Sequence, residues 1–132
     1  MYTTSFLTEN DLCRITMDCA FKVHKDLGPG LLESVYKECL FYEIGKTGIQ
    51  VEKEKPIPLI YETVKLECGY RADLVLDNKF LIELKSLDKI SDIHLAQTLT
   101  YLKLMDYKLG LLINFNVVFL KDGIKRVING IL

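Results

Sequence analysis

The 132-residue chain has no tryptophan, only three prolines and no excess of either charge: 17 basic residues stand against 18 acidic ones, for a formal net charge of −1. Without a basic excess, a protein that grips long stretches of duplex by phosphate neutralisation alone is disfavoured. No apolar run approaches the ~20 residues a membrane helix needs. The opening MYTTSFLTEN lacks the basic start and apolar run of a signal peptide, so the cytoplasm is the expected compartment. The four cysteines, Cys13, Cys19, Cys39 and Cys68, form no C-x-x-C pair. Three of them fall at apolar positions of helical patterns, where a free thiol acts as a small hydrophobe rather than a zinc ligand or half of a disulfide. What is present is 49% hydrophobic and 27% charged residues, the composition of a globular protein and, at this length, of one domain over residues 1–132.

Between Thr8 and Leu27 the residues Leu12, Ile15, Cys19, Val23 and Leu27 recur at three and four, the spacing of an amphipathic helix. Thr8 is its expected N-cap, with Asp11 three residues on as a variant of the capping box. GPG at 28–30 stops that helix. A second is expected from about Leu31 to Ile44, burying Leu32, Val35, Tyr36, Cys39 and Leu40. The stretch 49–67 alternates in places and carries Pro56 and Pro58, which suits an edge strand, and its EKEKP run would discourage sheet-to-sheet pairing. GYRADLVL and KFLIELKSL read as strands joined at a turn. Residues 91–106 return to helical spacing through Leu95, Leu99 and Leu102, with Ser91 as N-cap. KLGLLINF has the apolar continuity of a strand buried on both faces, and Asp122-Gly123 suggests a terminal hairpin. The order ααβββαββ predicts one α/β domain, a central mixed sheet flanked by helices.

The hairpin at 69–87 poses the chemical question, because it places Asp73, Glu83 and Lys85 among apolar residues. Glu83 and Lys85 share one strand face, since successive side chains alternate. A three-residue loop, Asp77-Asn78-Lys79, pairs Leu76 with Phe80 and sets Asp73 across from Glu83. Side chains so opposed have Cβ atoms about 5 Å apart. Two carboxylates there repel each other unless one is protonated or a cation lies between them. A two-residue loop would shift the register and send the acids to opposite faces. An oxygen-only donor set of this kind suits Mg²⁺, and Lys85 is placed to orient or deprotonate an attacking water.

The pattern D-x9-E-L-K on a hairpin resembles the PD-(D/E)XK nuclease superfamily, whose members have the restriction-endonuclease-like fold. More closely, GLLESVY at 30–36 is similar to the G-x-x-E-x-x-Y signature of a family of small prokaryotic proteins in that superfamily. VHKDLGPGLLESVY, YRADLVL, IELKSL, HLAQTLTYLKL and GLLINF carry the likeness over residues 10 to 128. The resemblance implies Asp73, Glu83 and the backbone carbonyl of Leu84 as metal ligands and Lys85 as the catalytic lysine. It implies Glu33 as a helix-borne acid reaching the metal directly or through water, and Gln97 as a glutamine contacting the site or the phosphate. Ala72 stands where the superfamily's name places proline.

The expected activity is therefore Mg²⁺-dependent hydrolysis of phosphodiester bonds, with Mn²⁺ as a substitute and nucleic acid, DNA above RNA, as partner. With no recognition domain, specificity is left to a homodimer or a partner protein. Two other readings stay open. One is a nucleic-acid-associated or protein-interaction module that keeps the fold without turnover. The other is a purely structural carboxyl pair, one member protonated or bridged by Arg71. Tyr36 reads as a core aromatic whose hydroxyl finds a partner, and His24 and His94 as structural or surface residues. Lys37 is the expected i+4 ion-pair partner of Glu33.

Overall fold

The computed structural model describes residues 6–67 and 69–132, so Cys68 lies outside the described residues. Two helices come first, α1 (Glu9–Leu27) and α2 (Glu33–Lys46). Five strands follow: β1 (Val51–Pro56), β2 (Leu59–Tyr61), β3 (Val64–Leu66), β4 (Arg71–Leu76) and β5 (Phe80–Lys85). Helix α3 (Asp92–Met105), β6 (Leu109–Asn114) and β7 (Ile124–Ile128) complete the chain. The main sheet is ordered β1-β4-β5-β6-β7, with β5 and β6 parallel and the other neighbours antiparallel. Along that sheet the expected order ααβββαββ holds.

The helix starts follow the sequence signals. The Asp11 amide donates to the Thr8 hydroxyl (3.1 Å) and the Thr8 amide to the Asp11 carboxylate (2.9 Å), a capping box. Ser91 caps α3, with His94 Nδ1 accepting from the Ser91 amide at 3.0 Å. Helices α1 and α2 cover one sheet face, burying Leu12, Tyr36 and Leu40 against Leu74, Ile82 and Leu111. Helix α3 covers the other, with Leu102 on Val75 and Leu81. Because both faces are covered, the inner strands carry the unbroken apolar runs seen in the sequence. At Gly110 an added Cβ would lie 2.8 Å from the Leu81 carbonyl oxygen and 3.1 Å from Leu102, so glycine lets α3 seat on β6.

Three expectations are corrected. The 49–67 stretch is not one strand: β1 forms the sheet edge, and β2 and β3 form a separate two-stranded hairpin. Pro56 and Pro58 have no amide to continue a ladder, and the chain leaves the sheet there. Asp122-Gly123 does not turn a local hairpin; a 3-10 turn at Leu120–Gly123 leads into β7, which pairs with β6. An added Cβ on Gly123 would lie 2.1 Å from the Asn114 carbonyl oxygen, so the turn is pressed against the end of β6. On α2, Leu32 is 73% exposed and Val35 is exposed too, because the buried face runs through Tyr36, Leu40 and Ile44. Among the described residues, no helix is long and apolar enough to cross a membrane.

Candidate active site

The β4–β5 ladder pairs Leu76 with Phe80, Val75 with Leu81 and Leu74 with Ile82, and then stops. Asp77 (φ 48°) and Asn78 (φ 52°) take the left-handed conformation their side chains tolerate, and leave the three-residue loop that this register requires. The next pair would be Asp73 and Glu83. There the side chains take over from the backbone. The Asp73 amide donates to Glu83 Oε1 at 3.1 Å, and the Leu84 amide donates to Asp73 Oδ2 at 2.8 Å. Each carboxylate is thus tied to the opposite strand, and both residues are buried. The carbonyl of a strand residue leaves on the same side as its amide, so the Leu84 carbonyl also faces β4.

A buried carboxyl beside a second acid holds its proton more tightly. Burial, and after it the Asp73 charge, push the Glu83 carboxyl up to about 8, against partial relief from the Asp73 amide and Lys85. Glu33 is raised as well, by burial first and by Asp73 second, with Lys85 and Lys37 opposing. Glu33 therefore shares the field of the pair.

The G-x-x-E-x-x-Y residues explain how Glu33 is placed. Gly28 (φ 70°) and Gly30 (φ 95°) supply the left-handed turns before α2. Tyr36, fully buried and stacked on Phe115 at 4.5 Å, donates its hydroxyl to the Gly28 carbonyl (2.5 Å) and accepts from the Leu31 amide (3.1 Å). Ser86 donates to the Leu31 carbonyl at 2.6 Å, which ties this loop to the end of β5. Glu33, the first residue of α2, is thereby fixed where the charges of Asp73 and Lys85 act on it.

Lys85 pairs with Asn114 across β5–β6. Buried Asn114 grips the chain just beyond it, accepting from the Leu87 amide (3.1 Å) and donating to the Leu87 carbonyl (2.9 Å). Among the described residues Lys85 makes no salt bridge, so its ammonium is uncommitted. Gln97 is exposed on α3 and makes no side-chain hydrogen bond among the described residues. It lies one turn before Tyr101, whose buried phenol is raised by burial and then by the Glu83 charge. The structure thus gathers Asp73, Glu83, Glu33 and Lys85 into one electrostatic group, and leaves Gln97 without a partner in it.

Lys37 and Glu54 also reach the site, by contacts that helical spacing and strand pattern do not predict. Lys37 does not pair with Glu33; it reaches Asp73 Oδ1 at 3.5 Å and forms an ion pair with Glu54 on β1. Its spacing from Glu33 was visible, but its partners depend on the register of β1. His24 bonds the Val117 carbonyl at 2.8 Å and His94 serves the α3 cap, so both are structural, as expected. Cys13, Cys19 and Cys39 are free thiols.

The donor chemistry fits a hard divalent cation: carboxylate oxygens, desolvated, with one carboxyl held protonated first by burial and then by a neighbouring charge that a cation would offset. Among the described residues, however, no three His, Cys, Asp or Glu side chains are arranged as a metal cage. Asp73 and Glu83 offer two carboxylates, and Glu33 stands back from them.

The model of the PD-(D/E)XK nuclease superfamily matches residues 10–127. The chain belongs to that superfamily. Its mixed five-stranded sheet and three helices agree with a restriction-endonuclease-like fold. A nuclease superfamily implies a nucleic acid substrate and, in general, divalent metal chemistry. No curated protein and no solved structure matches the chain.

Proposed function

We propose that the chain is a Mg²⁺-dependent nuclease of the G-x-x-E-x-x-Y branch, with Mn²⁺ as a substitute ion and DNA as its substrate. The observation that carries this reading is the mutual capture of Asp73 and Glu83 by each other's strand beside an uncommitted Lys85. Asp73, Glu83 and the Leu84 carbonyl are the groups that hold the cation, with Glu33 joining through water. Such an ion supplies charge that polarises a phosphoryl oxygen and makes a water more acidic. Lys85 orients the attacking water and offsets negative charge as it builds on the phosphate. Gln97 contacts the phosphate from α3. We place the activity in the cytoplasm and assign specificity to a homodimer or a partner protein, since a domain this small and near neutral offers little surface to a duplex.

The competing reading, a module that keeps the fold without turnover, is favoured by the net charge of −1 and by Lys37 standing on Asp73. Incubation with single-stranded, nicked and branched DNA separates the two. Cleavage with Mg²⁺ or Mn²⁺ that stops with EDTA and is lost in Asp73→Ala and Lys85→Ala supports the enzyme. No cleavage with either metal, or cleavage unchanged in those variants, supports the module.

A further inference from the structure

Strand β1 adds a third acid to the site. It pairs Lys53 with Leu74 and Lys55 with Ala72, so the position facing Asp73 is Glu54. That pair is missing from the ladder. Glu54 instead has φ 56°, a left-handed conformation in mid-strand that is strained for a non-glycine residue. Backbone strain of this kind persists only where its surroundings hold it in place. Two side chains hold it here: the Arg71 guanidinium donates to the Glu54 carbonyl at 3.4 Å, and the Lys37 ammonium pairs with the Glu54 carboxylate and lies 3.5 Å from Asp73 Oδ1. The Lys37 and Asp73 side chains are only 16% and 12% exposed, so water screens their attraction only in part. A half-buried ammonium is best tolerated when paired, and opposed carboxylates when one is protonated or a cation lies beside them.

We propose that Lys37 is the built-in counter-cation of the acid row Glu54–Asp73–Glu83, a positioning residue that keeps the carboxylates together without metal and competes with a divalent ion for Asp73. The competition rests on the metal reading above; the counter-cation role does not. Helix α2 then carries both controls on one face, since Glu33 and Lys37 are four residues apart. Glu33 adds negative charge toward the ion, and Lys37 opposes it. Glu54 sets the balance by holding the ammonium partly away from Asp73.

Lys37→Met keeps the apolar stem and removes the charge, whereas Lys37→Arg keeps the charge. In EDTA, Lys37→Met is expected to melt several degrees below wild type, and Lys37→Arg close to it. By calorimetry, Lys37→Met should bind Mn²⁺ on the order of tenfold more tightly than wild type, because one opposing charge is gone. Added Mn²⁺ should restore its melting temperature. Equal melting of Lys37→Met and wild type in EDTA, or Lys37→Arg behaving like Lys37→Met, overturns the counter-cation role. Unchanged or weaker Mn²⁺ affinity in Lys37→Met overturns the competition. If neither protein binds Mn²⁺, the metal reading fails and the competition with it, while the melts in EDTA still decide the counter-cation role.

Discussion

The two ends of the β4–β5 hairpin are made from the same strands and do opposite things. Near the turn, Leu74–Leu76 and Phe80–Ile82 form a regular ladder, and every one of these side chains is fully buried between helical layers. At the very next pair, Asp73 and Glu83 replace ladder bonds with carboxylate–amide bonds in a site that burial makes electrostatically costly. The apolar end anchors the strands, and that anchorage is what lets the polar end hold repelling charges. Stability and chemistry are thus separated by a few residues along one element.

The largest effect that tests this separation is on activity. Lys85→Ala should lower cleavage by about 10²–10⁴-fold, the usual contribution of a proton-handling group, with the melting temperature scarcely changed. A comparable loss of stability would mean that the polar end also carries the fold. The converse variant is Ile82→Ala, at a fully buried position in the ladder. It should cost about 2–5 kcal/mol in denaturant unfolding, like other large-to-small core changes. If it cost under about 1 kcal/mol, the anchor would lie elsewhere.

The pH dependence sharpens the comparison further. Glu83 in the folded chain keeps its proton up to about 8, whereas an ordinary glutamate loses it near 4.5. Between those values the folded state binds the extra proton, so stability falls as pH rises through the window. Metal-free protein should therefore melt lower at about pH 8.5 than at about pH 5.5. Glu83→Gln should flatten that slope, whereas Ile82→Ala should shift both melts down together. A smaller effect concerns the loop that carries Glu33. Tyr36→Phe removes the hydroxyl bonded to Gly28 and Leu31. It should cost about 1–3 kcal/mol by leaving those backbone groups unpaired, and weaken Mn²⁺ binding less than any change to Asp73 or Glu83.

Which parts of this were legible beforehand follows from the range of the forces involved. Helix caps at Thr8 and Ser91 depend on residues three apart, and both were readable. The Asp73–Glu83 register followed from the sequence only for a three-residue loop and not for a two-residue one; Asp77 and Asn78, which accept positive φ, close the longer loop. Lys37 was misread as the partner of Glu33, since helical spacing was the only guide. Its true partners sit on β1 and β4, and β1 reaches them only through long-range pairing. The separate β2–β3 hairpin was missed for a similar reason: two prolines marked an edge, but not that the chain would leave the sheet and fold back on itself. Asn114, which grips the backbone beyond Lys85, looked like the polar end of an apolar strand.

The most direct test of the central claim, that the Asp73 and Glu83 carboxylates converge on a cation, is calorimetric titration with Mn²⁺ at neutral pH in buffers of different ionisation heat. Because Glu83 is protonated there and a ligand carboxyl must be ionised, binding should release close to one proton, falling away above about pH 9. Glu83→Gln should abolish that release. Mn²⁺ binding with no proton released, or no binding at all, would contradict the account.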